Sequence, residues 1–121
     1  MKLRLYNDSA RFRLDMKDVE ELQSTGIVTA SIKFGFGSGR HFIYQVVLRD
    51  TPEIDLELDG QILTLNVPVD QGKEWIEGSD IGVYATRKFG KDTLRIMLEK
   101  DMKCTDDSSE DQSNMFPNTK S

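Results

Sequence analysis

Four cationic residues near the start of the chain, Lys2, Arg4, Arg11 and Arg13, stand at alternate positions on either side of Asn7-Asp8. An Asn-Asp pair is typical of a two-residue turn between antiparallel strands. The pairs that this turn predicts are Lys2 with Arg13 and Arg4 with Arg11. All four cations would then share one sheet face. Because guanidinium groups bind carboxylates and phosphates through paired hydrogen bonds, this face predicts an anion-binding site.

The four cations require negative partners, since like charges placed directly opposite one another destabilise a sheet. Three sources are open: a small anionic ligand, an acidic segment of another chain, or the protein's own carboxylates. A longer turn would instead shift the register and scatter the cations. The acidic candidates within the chain are the run Glu53, Asp55 and Glu57 and the acidic residues of 104–121.

Glu53, Asp55 and Glu57 alternate in a second strand-like stretch, so their carboxylates fall on one face. Carboxylate oxygens are the ligands that Mg²⁺, Mn²⁺ and Ca²⁺ prefer. In one pocket with the cationic hairpin, they would form a metal-dependent phosphohydrolase acting on a phosphorylated small molecule. The simpler interpretation is an outward-facing, solvated strand, and we therefore expect no metal and no cofactor.

His41 and Cys104 are the single histidine and the single cysteine of the chain. A zinc site or a nucleophile–base pair needs several such residues close together. The glycine-rich residues 35–39 precede a strand-like stretch, which indicates a hairpin turn because a phosphate loop leads into a helix. We therefore predict no catalytic residue.

The 121 residues have the size of one domain, with 37% hydrophobic and 31% charged residues. A net charge of −5 argues against binding to nucleic acid. No apolar run is long enough for a membrane-spanning helix or a secretory signal, and a single cysteine fits a reducing compartment. These features predict a cytoplasmic protein with neither a membrane nor a nucleic acid as its partner.

Composition divides the chain into a single α+β domain, residues 1–103, and a C-terminal segment, residues 104–121. The C-terminal segment carries four acidic residues against Lys120, a net charge of −3, and has no periodic apolar pattern. Such a segment cannot bury enough apolar surface to fold alone. We predict an acidic tail that is loosely ordered or docked on the cationic hairpin, with Met115 and Phe116 as its anchors.

The body predicts about eight strands, mostly in sequential hairpins, and two short helices. The first helix has Asp15 as its N-cap and ends at Gly26, and the second begins at Pro68 and ends at Gly78. Sequential hairpins imply antiparallel pairing. The expected fold is α+β, a curved sheet or a partly open barrel covered by the helices, with no internal repeat of fixed period.

Asp59-Gly60 is the strongest short hairpin signal in the chain. As a two-residue turn it pairs Leu58 with Gln61 and Leu56 with Leu63. The apolar residues then share one face of the hairpin and the acidic run shares the other.

Residues spread along the chain carry a resemblance to a known family. They are Met1-Lys2-Leu3-Arg4, Ser9, Arg11, Arg13-Leu14, Asp18-Val19, Leu22, Gly26, Lys73-Glu74-Trp75, Glu99-Lys100-Asp101, Cys104, Glu110-Asp111 and Phe116-Pro117-Asn118. In these the chain resembles small, uncharacterised bacterial proteins that form a domain of unknown function. The resemblance implies no activity, cofactor or partner. It does imply that the C-terminal segment belongs to the protein proper.

The sequence therefore favours a small, non-catalytic cytoplasmic domain that uses Lys2, Arg4, Arg11 and Arg13 to bind an acidic protein segment or a small anionic ligand. The acidic segment could be the protein's own tail or another chain. The metal-dependent phosphohydrolase is the alternative, and it requires the cationic and acidic sets in one concave pocket.

Overall fold

The computed structural model describes residues 1–37 and 39–102, so the predictions made for the C-terminal segment, Cys104 included, lie outside the described residues. Within those ranges the chain forms eight strands and two helices. The strands are β1 (Lys2–Tyr6), β2 (Ser9–Leu14), β3 (Ile27–Lys33), β4 (His41–Arg49), β5 (Asp55–Asp59), β6 (Ile62–Pro68), β7 (Gly82–Phe89) and β8 (Asp92–Lys100). The helices are α1 (Met16–Thr25) and α2 (Val69–Glu77).

The strands form two four-stranded sheets. The first sheet has the order β1-β2-β8-β7 and the second has β3-β4-β6-β5. Each consists of two hairpins joined by a parallel pairing of their inner strands, β2 with β8 and β4 with β6. The predicted α+β class, with mostly antiparallel strands in sequential hairpins, is confirmed. No ladder joins the two sheets in the described part of the chain, so they do not close into a barrel.

The first hairpin has the predicted register. Its turn residue Asn7 adopts a left-handed φ of 49°, which asparagine tolerates better than most residues. The turn sets Lys2 opposite Arg13 and Arg4 opposite Arg11. The four cations therefore lie on one face of β1 and β2, as the sequence predicts.

The register predicted for the β5–β6 hairpin is wrong by two residues. Leu56 pairs with Leu65, where the sequence predicts Leu63 as its partner. Asp59 is the last residue of β5 and pairs with Ile62, so the turn consists of Gly60 and Gln61. Gly60 adopts a left-handed φ of 59°. A shift of two residues keeps every side chain on its predicted face, so the acidic residues of β5 still share one side.

Helix α1 is closed at both ends by its own residues. The Asp15 carboxylate accepts a hydrogen bond from the Asp18 N–H at 2.9 Å, and the Asp18 carboxylate accepts one from the Asp15 N–H at 2.9 Å. The hydrogen bond that the Asp15 carboxylate accepts from the Asp18 backbone N–H is the main cause of a lowered pKa of Asp15. Gly26 ends the helix at φ 82° and donates to the Leu22 carbonyl. Both predicted ends of this helix are confirmed.

Gly26→Ala is expected to lower the free energy of unfolding by about 1 kcal/mol, because a side chain disfavours a left-handed backbone. Chemical denaturation followed by circular dichroism measures this loss. Gly39→Ala is the matched control, since the φ of Gly39 lies outside the left-handed region. Equal losses in the two variants would show that backbone conformation at Gly26 is not the cause.

The two halves of the chain repeat one arrangement. The first half runs β1-β2-α1-β3-β4 and the second runs β5-β6-α2-β7-β8. Replacing each strand by its counterpart in the other half converts the strand order of one sheet into that of the other. The repeat is visible in sequence only at β3 and β7, where residues 28–35 read VTASIKFG and residues 83–90 read VYATRKFG. Equivalent residues are 53 apart in β1 and β5 and 55 apart in β3 and β7, so the repeat has no fixed period.

One core cluster unites both sheets with both helices. From the helices it takes Leu22 of α1 and Trp75 of α2, which are 0% and 2% exposed. The strands contribute its other members: Ala10, Phe12, Leu14, Val28, Val46, Leu63, Leu65, Val67, Ile96 and Leu98, together with Ile54 from the loop before β5. The outer face of the first sheet is thereby left mostly to polar residues. Among the described residues, no helix has the length and apolar character needed to cross a membrane.

Candidate functional site

The basic face, defined as Lys2, Arg4, Arg11 and Arg13, lies on the outer side of the first sheet. Side chains alternate along a strand, so Phe12, which is fully buried, points to the core while its neighbours Arg11 and Arg13 point outward. Lys2, Arg4 and Arg13 are exposed and Arg11 is half-buried. Burial of the alternate residues of β2 therefore fixes the direction of the cations.

Strands β8 and β7 extend this positive surface beyond the hairpin. Arg95 stands beside Ser9 in the parallel β2–β8 pairing, and Lys88 lies on the same face of β7. Among the described residues, these six cations together with Glu99 and Asp101 sum to +4 on the outer side of the first sheet. Because the chain carries −5, all the other residues together carry −9. The sheet surface is strongly positive in an acidic protein.

Glu99 is the central counter-ion of the basic face. Its Oε1 lies 3.3 Å from Arg11 Nε and 3.5 Å from Arg13 Nε, and its side chain is only 15% exposed. Its Oε2 accepts a hydrogen bond from the Tyr84 hydroxyl at 2.9 Å. The parallel pairing of β2 with β8 places it there, since Glu99 is the direct neighbour of Arg13.

Asp101 and Glu99 are the acidic partners of Lys2, Arg11 and Arg13 in the described part of the chain. Asp101 Oδ2 lies 3.0 Å from Lys2 Nζ, so it compensates the outer end of β1. Arg11 Nε is buried and makes no hydrogen bond of good geometry within the described part of the chain, despite its closeness to Glu99. One carboxylate therefore does not satisfy both guanidinium groups beside it.

A small cavity opens within the basic face. It has a volume of about 130 Å³, and it is lined by Leu3 and by the four cations of the face. Because a water molecule occupies roughly 30 Å³ of liquid, the space fits a single carboxylate or phosphate group. The polar side chains that line it are cationic hydrogen-bond donors.

The pKa of the Tyr84 hydroxyl depends on the charge of Glu99. The hydrogen bond to the Glu99 carboxylate, with a smaller contribution from partial desolvation, raises the pKa of Tyr84 above its usual 10.0. Since the folded state holds this proton more tightly than the unfolded chain, the associated stability is complete below pH 10 and is lost as the pH rises through the folded-state pKa.

Glu99→Gln is expected to lower the pKa of Tyr84 toward its ordinary value, because the substitution removes the negative charge beside the hydroxyl. Ultraviolet titration of tyrosinate measures this shift, and a Tyr84→Phe variant identifies which part of the titration curve belongs to Tyr84. An unchanged titration of Tyr84 in Glu99→Gln would contradict the contact.

Asp55 and Glu57 of the acidic run lie on β5, at the position in the second half of the chain that corresponds to the basic face in the first, and Glu53 lies in the loop before β5. Asp55 is equivalent to Lys2, and Glu57 is equivalent to Arg4. Glu53 forms an ion pair with Arg87, and Asp55 Oδ1 lies 3.9 Å from Arg87 Nε. The acidic residues thus have partners of their own on β7, across the gap between the two sheets.

Glu57 belongs to a separate polar ladder across the second sheet. Its Oε1 accepts a hydrogen bond from Asn66 Nδ2 at 2.9 Å, and Asn66 Oδ1 accepts one from Arg49 Nε at 2.8 Å. The described residues contain no group of three or more acidic, histidine or cysteine side chains placed to hold a metal ion. The metal-dependent phosphohydrolase thus stays a prediction that no feature of this geometry favours.

The sequence identified the four cations of the basic face but missed the residues that complete it. Four of them, Tyr84, Lys88, Arg95 and Glu99, come from β7 and β8, seventy or more residues along the chain from β2. The only signal in the sequence was that they occupy polar positions in two stretches where polar and apolar residues alternate. Nothing in that alternation indicates that β8 pairs with β2.

Comparison with known proteins gives the chain a family but no activity. A family model whose description is "Family of unknown function (DUF7009)" matches residues 1–120. No curated protein and no solved structure matches the chain.

Proposed function

The chain belongs to this family of unknown function, DUF7009, and from its geometry we propose that it is a binding domain whose basic face holds an acidic segment of a partner protein. The observation that carries the proposal is the buried Arg11 Nε, which makes no hydrogen bond of good geometry within the described residues although Glu99 lies beside it. Lys2 and Arg13 stand directly opposite one another on this face, as do Arg4 and Arg11, and the one carboxylate of Glu99 is shared by Arg11 and Arg13. A partner that supplies carboxylates relieves the repulsion between the opposed cations.

The spacing of the cations favours an extended acidic segment over a single small anion. Lys2 and Arg4 are two residues apart on one strand, which places them about 7 Å apart. An extended peptide with acidic residues at alternate positions presents its carboxylates at the same interval. A small anion in the cavity of the basic face would meet only the cations that line it, and it would leave Arg95 and Lys88 unused.

The proposed role is binding without a catalytic step, in the cytoplasm. A single cysteine in 121 residues supports a reducing compartment. The groups that gather on the first sheet are hydrogen-bond donors and cations, which stabilise bound negative charge but include no paired nucleophile and base among the described residues.

Binding of a short fluorescent peptide with alternating glutamate and serine tests this function by fluorescence polarisation. The Lys2→Ala/Arg4→Ala variant is expected to bind this peptide about tenfold more weakly than the unmodified chain, at roughly 0.7 kcal/mol for each lost charge contact. These two residues are chosen because both are exposed, so their removal leaves the Arg11–Glu99 contact in place.

The matched control is Lys17→Ala/Lys91→Ala, which removes the same charge from α1 and from the β7–β8 turn, away from the basic face. Its affinity is expected to stay within about twofold of the unmodified chain, and binding should weaken as salt rises. Equal weakening in the two variants would show that binding depends on the net charge of the protein and not on the basic face. No binding by the unmodified chain at low salt would overturn the proposed function.

A further inference from the structure

A second, larger cavity lies beside the basic face, between the first turn of α1 and the end of β8. Its volume is about 440 Å³. The residues that line it are Leu14, Asp15, Met16, Val19, Glu20, Lys100, Asp101 and Met102. Asp101 also forms the ion pair with Lys2, so the cavity and the basic face share a border.

The floor of this cavity is apolar and open to water. Leu14 is buried in the core beneath it, while Met16 is 86% exposed and Met102 is 59% exposed. Apolar cavities of this size are typical sites for an apolar group. Covering two exposed methionines with such a group removes apolar surface from water, which favours the covered state.

The chain itself supplies a group that fits. Met102 is at once part of the cavity wall and the last described residue of the sequence. The sequence beyond it is mostly polar, and Met115 and Phe116 form its one pair of adjacent large apolar residues. Residues 112–119 carry no charge and Lys120 follows them, which suits a cavity with Asp15, Glu20 and Asp101 around its opening.

The segment between Met102 and Phe116 is long enough to reach the basic face and to return to the cavity. Fourteen residues lead from Met102 to Phe116, enough for about 45 Å of extended chain, or roughly 23 Å out and back. Strand β1 lies two strands away from β8, which is a distance of about 10 Å. The segment is therefore long enough to cross the basic face and come back to the cavity.

We propose that Met115 and Phe116 occupy the cavity between α1 and β8 and thereby hold the acidic residues of 106–111 against the basic face. The charges agree, because residues 106–111 contain four acidic residues and no cation. The docked segment then competes within the same molecule with the acidic partner, so it regulates that site. This competition rests on the proposed function, whereas occupation of the cavity does not.

Phe116→Ser in the full chain tests the competition. Loss of the anchor releases the acidic residues, and the affinity for the glutamate–serine peptide is expected to rise about fivefold. Phe36→Ser is the matched control, because Phe36 is fully exposed in the β3–β4 loop and its replacement should leave the affinity unchanged. An unchanged or lower affinity in Phe116→Ser, with the unmodified chain binding the peptide, would overturn the competition.

Disulfide trapping tests the docking without any peptide. In a Cys104→Ser background, Glu20→Cys on the cavity wall is paired with Asn118→Cys next to the anchor. Oxidation of this pair is expected to be at least about fivefold faster than oxidation of Glu21→Cys with Asn118→Cys, because docking raises the local concentration at the cavity only. Glu21 is the next residue of α1 and does not line the cavity.

The two experiments separate the two proposals. Fast trapping at Glu20 supports the docked segment even if no acidic peptide binds, in which case only the proposed function fails. Equal trapping rates at Glu20 and Glu21 would overturn the docking, whatever the peptide does.

Discussion

Glu99→Gln is expected to lower the free energy of unfolding by about 2 kcal/mol and at the same time to tighten binding of an acidic peptide several-fold. The carboxylate of Glu99 stabilises Arg11 and Arg13 in the free protein, and it occupies the position that an incoming carboxylate needs. Loss of its charge therefore weakens the fold and frees two cations for the partner. The stability loss is smaller than for a fully buried ion pair, because the Arg13 side chain is 44% exposed.

Urea denaturation and fluorescence polarisation measure the two effects on the same preparation. Glu77→Gln is the control, because it removes an equal charge from an exposed position at the end of α2. It should change neither quantity by more than the scatter of surface substitutions, about 0.5 kcal/mol. A loss of stability in Glu99→Gln without a gain in affinity would mean that Glu99 is only a structural partner of the two arginines.

Phe12→Ala is expected to have the largest effect on stability, a loss of about 4 kcal/mol, because Phe12 is fully buried at the centre of β2. The cost combines lost apolar burial with the cavity left behind. Thermal and chemical unfolding measure this loss, and Leu5→Ala is its control because the Leu5 side chain is 61% exposed on the neighbouring strand.

This prediction bears on the site, since Phe12 stands between the two arginines that contact Glu99. If its packing fixes the direction of β2, the Phe12→Ala variant should also bind the acidic peptide more weakly wherever it remains folded. A small loss, similar to that of Leu5→Ala, would contradict the central position assigned to Phe12.

Local signals in the sequence were sufficient for the hairpin that carries the basic face. The residue types at the Asn7-Asp8 turn limit the backbone to a tight reversal, and alternation of apolar and cationic residues then fixes the register. In the β5–β6 hairpin the same reasoning predicted the wrong pair of turn residues. Either Asp59-Gly60 or Gly60-Gln61 contains the glycine that a left-handed turn position favours, and alternation cannot distinguish registers that differ by two residues.

The joining of hairpins into sheets could not be read from local patterns. The parallel pairing of β2 with β8 depends on how α1, α2 and the core pack, which involves residues far apart in sequence. That pairing brings Glu99 to Arg11 and Arg13, so the main counter-ion of the site was also out of reach. The sequence predicted that the cations require negative partners and left several sources open; of these, Glu53, Asp55 and Glu57 instead contact Arg87 and Asn66.

Mapping by nuclear magnetic resonance tests the central claim most directly, since it locates an acidic ligand on the molecule residue by residue. The glutamate–serine peptide is titrated into the isotope-labelled full chain, and the backbone amide shifts are followed. We predict concentration-dependent shifts centred on β1, β2 and the facing parts of β8 and β7, and smaller shifts at high salt. Shifts centred on the second sheet, or none at all at low salt, would contradict the account.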